Sequence, residues 1–366
     1  MKESELLTAG IERLQAVLPP SWTVQLVQTG DSLVAGGGDA LVRIQSEGSS
    51  MTAQVLVEAK TQLTPRGVDG LTQGPWEVLR RQYRTPMLVV APSLSARTRE
   101  RLRAAGIHYL DLDGEVSLTL ETPGLHVELG GGPRKRAGRP GPGPTLRGPR
   151  GGRILRLLVD TAPPYGVGDL ALAAGVSQGY TSRLLEALDA EALIERGRRG
   201  MVEGVDWAGL LRRWAETYAL LRTHEVTGAI GRHGVEAVLD RLRGEAGRWA
   251  ITGSWAASRL APVAAPALLA VYTDRPEAML ERLELMPVPE GHDVLLLQPA
   301  DDFVYARSEP DGGLFYAAPS QVALDCLTGP GRMPAEGEAV LGWMAEHLDT
   351  WRAATLKGPQ QTEATV

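Results

Sequence analysis

Met51-Thr-Ala-Gln-Val-Leu-Val-Glu-Ala-Lys60 is an apolar run that closes on a carboxylate and an amine, and a matching run, Asp39-Ala-Leu-Val-Arg-Ile-Gln45, lies just upstream. The polar segment Ser46-Glu-Gly-Ser-Ser50 between them predicts a turn and therefore an antiparallel hairpin. Centred on that turn, Val42 faces Val55, Leu41 faces Leu56, Ala40 faces Val57 and Asp39 faces Glu58. Side chains alternate along a strand, so Ala40, Val42, Ile44, Ala53, Val55 and Val57 share one face. Asp39, Arg43, Gln54, Glu58 and Lys60 share the other. A slip of one residue would destroy this segregation, which fixes the register. Lys60 is also one of four lysines in a chain with 34 arginines, so an amine here departs from the chain's own bias.

An aspartate that opens one strand and a Glu-x-Lys that closes its antiparallel neighbour resemble the PD-(D/E)xK restriction-endonuclease-like fold. Gly38 stands where that family usually has proline. The resemblance implies that Asp39 and Glu58 ligate magnesium and that Lys60 positions or activates a water, roles suited to hard oxygen ligands and a nearby cation. The same Glu-x-Lys also serves, in many proteins, as a surface ion pair of small worth. Such folds often persist as binding modules without chemistry.

The remainder of residues 1–130 predicts an α/β unit. Leu6, Leu7, Ile11, Leu14, Val17 and Leu18 recur at helical spacing, and Pro19-Pro20 ends that helix. Trp22–Val27, Pro86–Pro92, Ile107–Leu112 and Glu115–Leu120 are read as strands, and Ser93–Ala105 as a serine-capped amphipathic helix. Gln82 is a candidate accessory residue, or a solvated helix glutamine.

Composition bounds the function classes. The length, 366 residues, suits two or three domains. A single cysteine, Cys326, excludes an internal disulfide framework and a cysteine-rich zinc site. No signal peptide and no apolar run of membrane-spanning length is visible, so a cytoplasmic, nucleoid-associated protein is expected, without membrane partners. The net charge of −6 excludes a generic polycation. Any affinity for nucleic acid must come from local clustering.

Such a cluster occupies Gly130–Gly152, GGGPRKRAGRPGPGPTLRGPRGG, where no core can form. Between Arg134 and Arg153 it carries Arg134, Lys135, Arg136, Arg139, Arg147, Arg150 and Arg153 and no acid. A tether of this kind can neutralise phosphates with release of counterions. Gly138-Arg139-Pro140 resembles an AT-hook, an arm for narrow minor grooves, although Ala137 stands where that motif has arginine. A plain basic linker is the other reading.

Asp169-Leu-Ala-Leu-Ala-Ala-Gly-Val-Ser-Gln-Gly-Tyr-Thr-Ser-Arg-Leu-Leu-Glu-Ala-Leu188 resembles a helix-turn-helix. Ala174 and Gly175 suit the tight turn, Ser177 a cap, and Leu170, Ala173, Leu184, Leu185 and Leu188 the packed face. Ser177, Gln178, Tyr180, Thr181 and Ser182 are expected to meet base edges, and Arg183 a phosphate. A preceding helix over Arg153–Thr161 and a hairpin over Leu193–Glu203, with Arg196, Arg198 and Arg199, complete the order of a winged helix. A protein-docking winged helix is the alternative.

In the C-terminal part, Trp207–Leu221, Val235–Arg243 and Glu336–His347 are read as helices, Ala267–Asp274 and Asp293–Gln298 as strands. Gly253-Ser254 looks like the start of a nucleotidyltransferase site, implying phosphate contacts by these residues. The D-x-D carboxylates of that chemistry are incomplete, with Asp274 present and Tyr272 in the other place. Trp249–Trp343 is similar to the C-terminal region of AbiEi-type antitoxins, the repressor halves of type IV toxin-antitoxin pairs, which combine a winged helix with a degenerate nucleotidyltransferase-like domain. That similarity rests on Ala250-Ile-Thr-Gly-Ser-Trp-Ala-Ala257 and Pro319-Ser-Gln-Val-Ala-Leu-Asp325.

The expected architecture is multidomain α/β plus α. It comprises a restriction-endonuclease-like domain (1–130), a basic linker (131–152), a winged helix-turn-helix (153–205), a nucleotidyltransferase-like domain (206–350) and a polar tail (351–366). The expected function is sequence-specific recognition of double-stranded DNA by a transcriptional regulator, needing no cofactor and acting as a homodimer. A magnesium-dependent DNA nuclease and an antitoxin with a toxin partner are the alternatives.

Overall fold

The computed structural model describes residues 2–29, 38–48, 51–73, 85–130 and 146–356. It is a mixed α/β protein that divides into two compact units, Met1–Pro142 with Asp189–Ala192, and Gly143–Leu188 with Leu193–Val366. Among the described residues no helix is long and apolar enough to cross a membrane.

The first unit is built on a seven-stranded sheet in chain order: β1 (Trp22–Thr29), β2 (Ala40–Ser46), β3 (Thr52–Ala59), β4 (Met87–Ala91), β5 (His108–Asp111), β6 (Val116–Leu120) and β7 (Leu125–Leu129). The β3, β4 and β5 strands run parallel and the outer neighbours antiparallel. The β2–β3 register pairs Ala40 with Val57, Leu41 with Leu56 and Val42 with Val55, as alternation predicts. All six apolar residues of that face are buried. At roughly 1.5–3 kcal/mol for each fully buried aliphatic side chain, a one-residue slip would cost on the order of the whole stability of a domain.

Helix α1 (Glu3–Val17) covers this face, its Leu6 and Leu14 packing with Val42, Val55 and Val90. Contact is close at Gly10, where a Cβ would stand 2.4 Å from a Val90 methyl. Helices α2 (Pro65–Gln73) and α3 (Ala96–Ala104) cover the opposite face, with Val68, Leu71 and Leu102 against Met87, Val89 and Tyr109. Glu58 and Lys60 therefore belong to the α2/α3 side of the sheet. Ser95 caps α3 by accepting from the Thr98 amide at 3.0 Å. The β7 strand was not expected; its apolar alternation at Leu125, Val127 and Leu129 is short and runs straight into the glycines of the tether.

In the second unit, α4 (Pro149–Asp160), α5 (Val167–Ala174) and α6 (Gln178–Ala190) precede a hairpin of β8 (Ile194–Arg196) and β9 (Val202–Val205). Tyr165, outside the hairpin, bridges antiparallel to Val202. Gly175 ends α5 at φ +65, a left-handed conformation that suits glycine. The chain continues through α7 (Trp207–Ala215), α8 (Leu220–Thr223), β10 (Glu225–Gly231), α9 (Val235–Leu242), β11 (Trp249–Thr252), α10 (Gly253–Leu260) and β12 (Leu269–Thr273). It ends with α11 (Pro276–Arg282), β13 (Leu285–Pro287), β14 (Val294–Gln298), β15 (Glu309–Asp311), β16 (Leu314–Tyr316), α12 (Pro319–Thr328), α13 (Met333–Glu346) and α14 (Leu348–Trp351). Strands β10 to β16 form one mixed sheet, ordered β13-β10-β14-β12-β11-β16-β15.

A single apolar core runs from Ile154 and Leu158 of α4 through Leu184 and Leu211 to Val271 and Leu324. Helices α4 to α6 and the C-terminal sheet thus share one core. Trp351 is buried in that core, and the Ala353 amide donates to the Asp160 carbonyl at 2.7 Å, so the packed chain extends beyond residue 350.

Candidate functional site

Two surfaces carry residues singled out by the sequence. On the first, Asp39 sits at the mouth of the β2–β3 ladder, its amide donating to the Val57 carbonyl at 3.0 Å. Its carboxylate accepts from the Ala59 amide at 2.7 Å, which fixes one oxygen across the hairpin. Gly38 has φ +108, a conformation that suits glycine and is closed to proline, whose φ is locked near −65°. Glu58 is 6% exposed and pairs with the Lys60 ammonium.

Burial raises the Glu58 acid above its ordinary range, and the charges of Asp39 and Glu3 add to the rise against the opposing effect of Lys60. Burial works to lower Lys60 as well, but the hydrogen bond and charge of Glu58, with Asp39 and Glu3, outweigh it and hold the ammonium above its ordinary value. Lys60 is consequently a cation and a donor rather than a base. Glu3, in the first turn of α1, was not among the expected residues. An acidic first turn is common helix chemistry and gives no separate signal.

Could this group hold magnesium? Among the described residues no cluster of three or more His, Cys, Asp or Glu side chains stands ready for a metal. Magnesium keeps several waters, however, and commonly takes one or two carboxylates plus substrate phosphate, a demand that Asp39 and Glu58 fit. Gln82 lies outside the described residues.

On the second surface, Ser177 caps α6 by accepting from the Tyr180 amide at 3.3 Å. Ser177, Gln178 and Arg183 are exposed, and Tyr180 is half-buried. Ser182, also half-buried, donates to Glu186 at 3.1 Å. Thr181 corrects the expectation of a base contact: it is fully buried, and its hydroxyl donates to the Ser177 carbonyl at 3.1 Å. Helical periodicity explains this, because position 181 falls on the face of Leu184, Leu185 and Leu188.

On the hairpin, Arg199 is exposed at φ +63, while half-buried Arg196 donates to the Gly200 carbonyl at 3.4 Å. The Glu203 carboxylate lies over Gly197, so the hairpin is not purely basic. The Arg198 side chain and the tether residues Arg134, Lys135, Arg136 and Arg139 lie outside the described residues.

Gly253 and Ser254 have the strand-to-helix position expected of them, but both are buried. The Ser254 hydroxyl donates to the buried Glu336 carboxylate at 2.5 Å, and Met333 packs against Gly253. Neither offers a group to a phosphate in this arrangement. Beside them lies a sealed polar cluster that no local pattern announced. Asp325 accepts from Tyr218 at 2.7 Å, Tyr272 at 2.9 Å, Thr252 at 2.6 Å and Gln321 at 2.8 Å. Tyr272, in the place of a D-x-D carboxylate, is thus committed to the interior.

His224 Nε2 lies 2.7 Å from the Tyr218 hydroxyl, and its Nδ1 accepts from the Ala300 amide at 3.3 Å. Arg156 of α4 joins the cluster through Gln321 at 2.6 Å and pairs with Asp160 at 3.0 Å. Burial raises Asp325 and drives Tyr218 and Tyr272 well up, as expected for charges withdrawn from water.

The sequence matches no protein-family profile and no curated protein. Solved structures similar to part of the chain include EndoMS in complex with double-stranded DNA, at 20% identity and TM-score 0.22 over 30% of this chain and 44% of that one. The apo form of EndoMS aligns at 22% identity and TM-score 0.21 over 31% of this chain and 46% of the other. The chain therefore spans less than half the length of these proteins.

Proposed function

We propose that the protein is a sequence-specific double-stranded DNA-binding regulator whose α5–α6 pair and β8–β9 hairpin act as a winged helix-turn-helix. The observation that carries this reading is the disposition of charge around α6. Arg183 and Arg199 are exposed and no described carboxylate pairs with them, and Ser177 and Gln178 stand exposed at the helix N-terminus. In the C-terminal part, in contrast, arginines are paired with carboxylates, as in Arg212–Glu338, Arg248–Asp302 and Arg259–Asp311. Uncompensated cations beside small polar side chains suit phosphate anchoring next to base reading.

Binding requires no cofactor, and a twofold-symmetric site would engage a homodimer. The test is selection of bound duplexes from a random pool followed by footprinting. A discrete, inverted-repeat site is expected, lost in Gln178→Ala/Arg183→Ala and retained in Lys60→Ala. Affinity indifferent to base sequence, and abolished by doubling the salt, would refute the proposal.

A second reading, a magnesium-dependent DNA nuclease, is favoured by the convergence of Asp39, Glu58 and Lys60. Asp39 and Glu58 would hold the ion, which when bound polarises a scissile phosphate and supplies a water. Lys60, charged, would orient that water by donation. Cleavage of duplex or branched DNA with magnesium, abolished by Asp39→Ala and by Glu58→Ala, is the expected result; intact DNA under these conditions excludes it.

A further inference from the structure

The arginines at the end of the basic tether are not equivalent. Arg147 and Arg150 are exposed and have no partner among the described residues. Arg153, one turn further along α4, is spent: its guanidinium grips Asp301 with bonds of 3.0, 3.1 and 2.7 Å. It also passes close to the α5–α6 turn, where a Cβ on Gly175 would stand 3.7 Å from its Nη1. Residues three apart share a helix face, so Arg150 lies on the same side of α4, one turn nearer the N-terminus, flanking the reading helix. Its positive charge reaches the Tyr180 hydroxyl and offsets part of the rise that burial causes there. Gln178, at the N-terminus of α6, lies against α5, its Nε2 3.2 Å from where a Gly168 Cβ would be.

We propose that Arg150, seconded by Arg147, is a phosphate clamp that seats the duplex backbone beside the base-reading end of α6, whereas Arg153 is a structural arginine. This rests on the DNA-binding reading above. Of these three residues only the first two carry a charge that no described carboxylate takes up, whereas that of Arg153 is spent on Asp301. Backbone phosphates of double-stranded DNA are the ligand class: two guanidiniums without neighbouring acids supply charge and paired donors, but no base-edge geometry.

The experiment is fluorescence anisotropy of the full chain on fluorescein-labelled duplexes, one of random sequence and one carrying the selected site, over a series of salt concentrations. For Arg150→Ala we expect a loss of roughly three- to tenfold, equal on both duplexes, with the slope of log affinity against log salt reduced by about one. Arg150→Lys should recover most of the slope. Arg153→Ala should instead lower the melting temperature. Wild-type protein that binds both duplexes with an unchanged slope in Arg150→Ala overturns the clamp and leaves the DNA-binding reading standing. A loss confined to the selected site also overturns it, since Arg150 would then read bases. Wild-type protein that binds neither duplex overturns both.

Discussion

Glu58 and Asp325 are both carboxylates withdrawn from water, and burial pushes both acids upward, yet their surroundings differ in kind. Asp325 is enclosed by four neutral donors, from Tyr218, Tyr272, Thr252 and Gln321, which use its oxygens completely. Glu58 stands at a strand end beside one cation, with a second carboxylate across the hairpin and a Lys60 side chain still 34% exposed. The first arrangement is a satisfied knot that holds α4, β11, β12 and α12 together. The second retains lone pairs and access to solvent. Burial by itself does not distinguish a site from a core; the inventory of donors does.

The largest effect that would break this comparison is expected at the knot. Asp325→Ala leaves three hydroxyls and an amide without their acceptor, and urea unfolding should show a loss of roughly 3–5 kcal/mol. A loss near zero would mean that water or a shifted side chain replaces the carboxylate, and the knot would not be structural.

Next in size is a pH effect from the same cluster. Burial lowers His224 from 6.5 to about 4, so the unfolded chain binds a proton that the folded chain refuses. Its contribution is complete above the unfolded value and is lost as pH falls from 6.5 toward 4, about 3 kcal/mol in all. Asp325 runs the other way, since a raised acid makes the folded state the better proton acceptor and its stability declines as pH rises above the ordinary range. Stability measured between pH 4 and 7 should therefore lose its His224-dependent rise in His224→Gln, leaving the opposite trend of Asp325. An unaltered slope would assign the effect to another group.

The smallest stability effect belongs to the Glu58–Lys60 pair, whose amine is the part that solvent reaches. Lys60→Met should change unfolding free energy by less than about 1 kcal/mol, because the pair is partly solvated. It should nonetheless raise the Glu58 acid further, since burial, Asp39 and Glu3 all act upward once the ammonium is gone. Carboxyl NMR titration reads this directly. A downward shift would show that the carboxylate swings out to water.

The β2–β3 register was legible because alternation is a property of consecutive residues, and any slip exposes a whole apolar face. The two helices joined at Gly175 were legible for a similar reason: Gly175, Ser177 and the leucine spacing act within a few residues of one another. Thr181 shows where that reading stopped. Its type suggested a contact, and its place in the period decided burial.

What only the tertiary structure decided was which charges are spent. Arg150 and Arg153 look alike in the chain, but Asp301, far along the sequence, neutralises one of them. Tyr218, His224, Tyr272 and Asp325 meet only because the β-sheet and α12 close around them. Periodicity is local and is written in the order of residues. Partnership of polar groups depends on distance in space, which the packing of remote apolar segments sets.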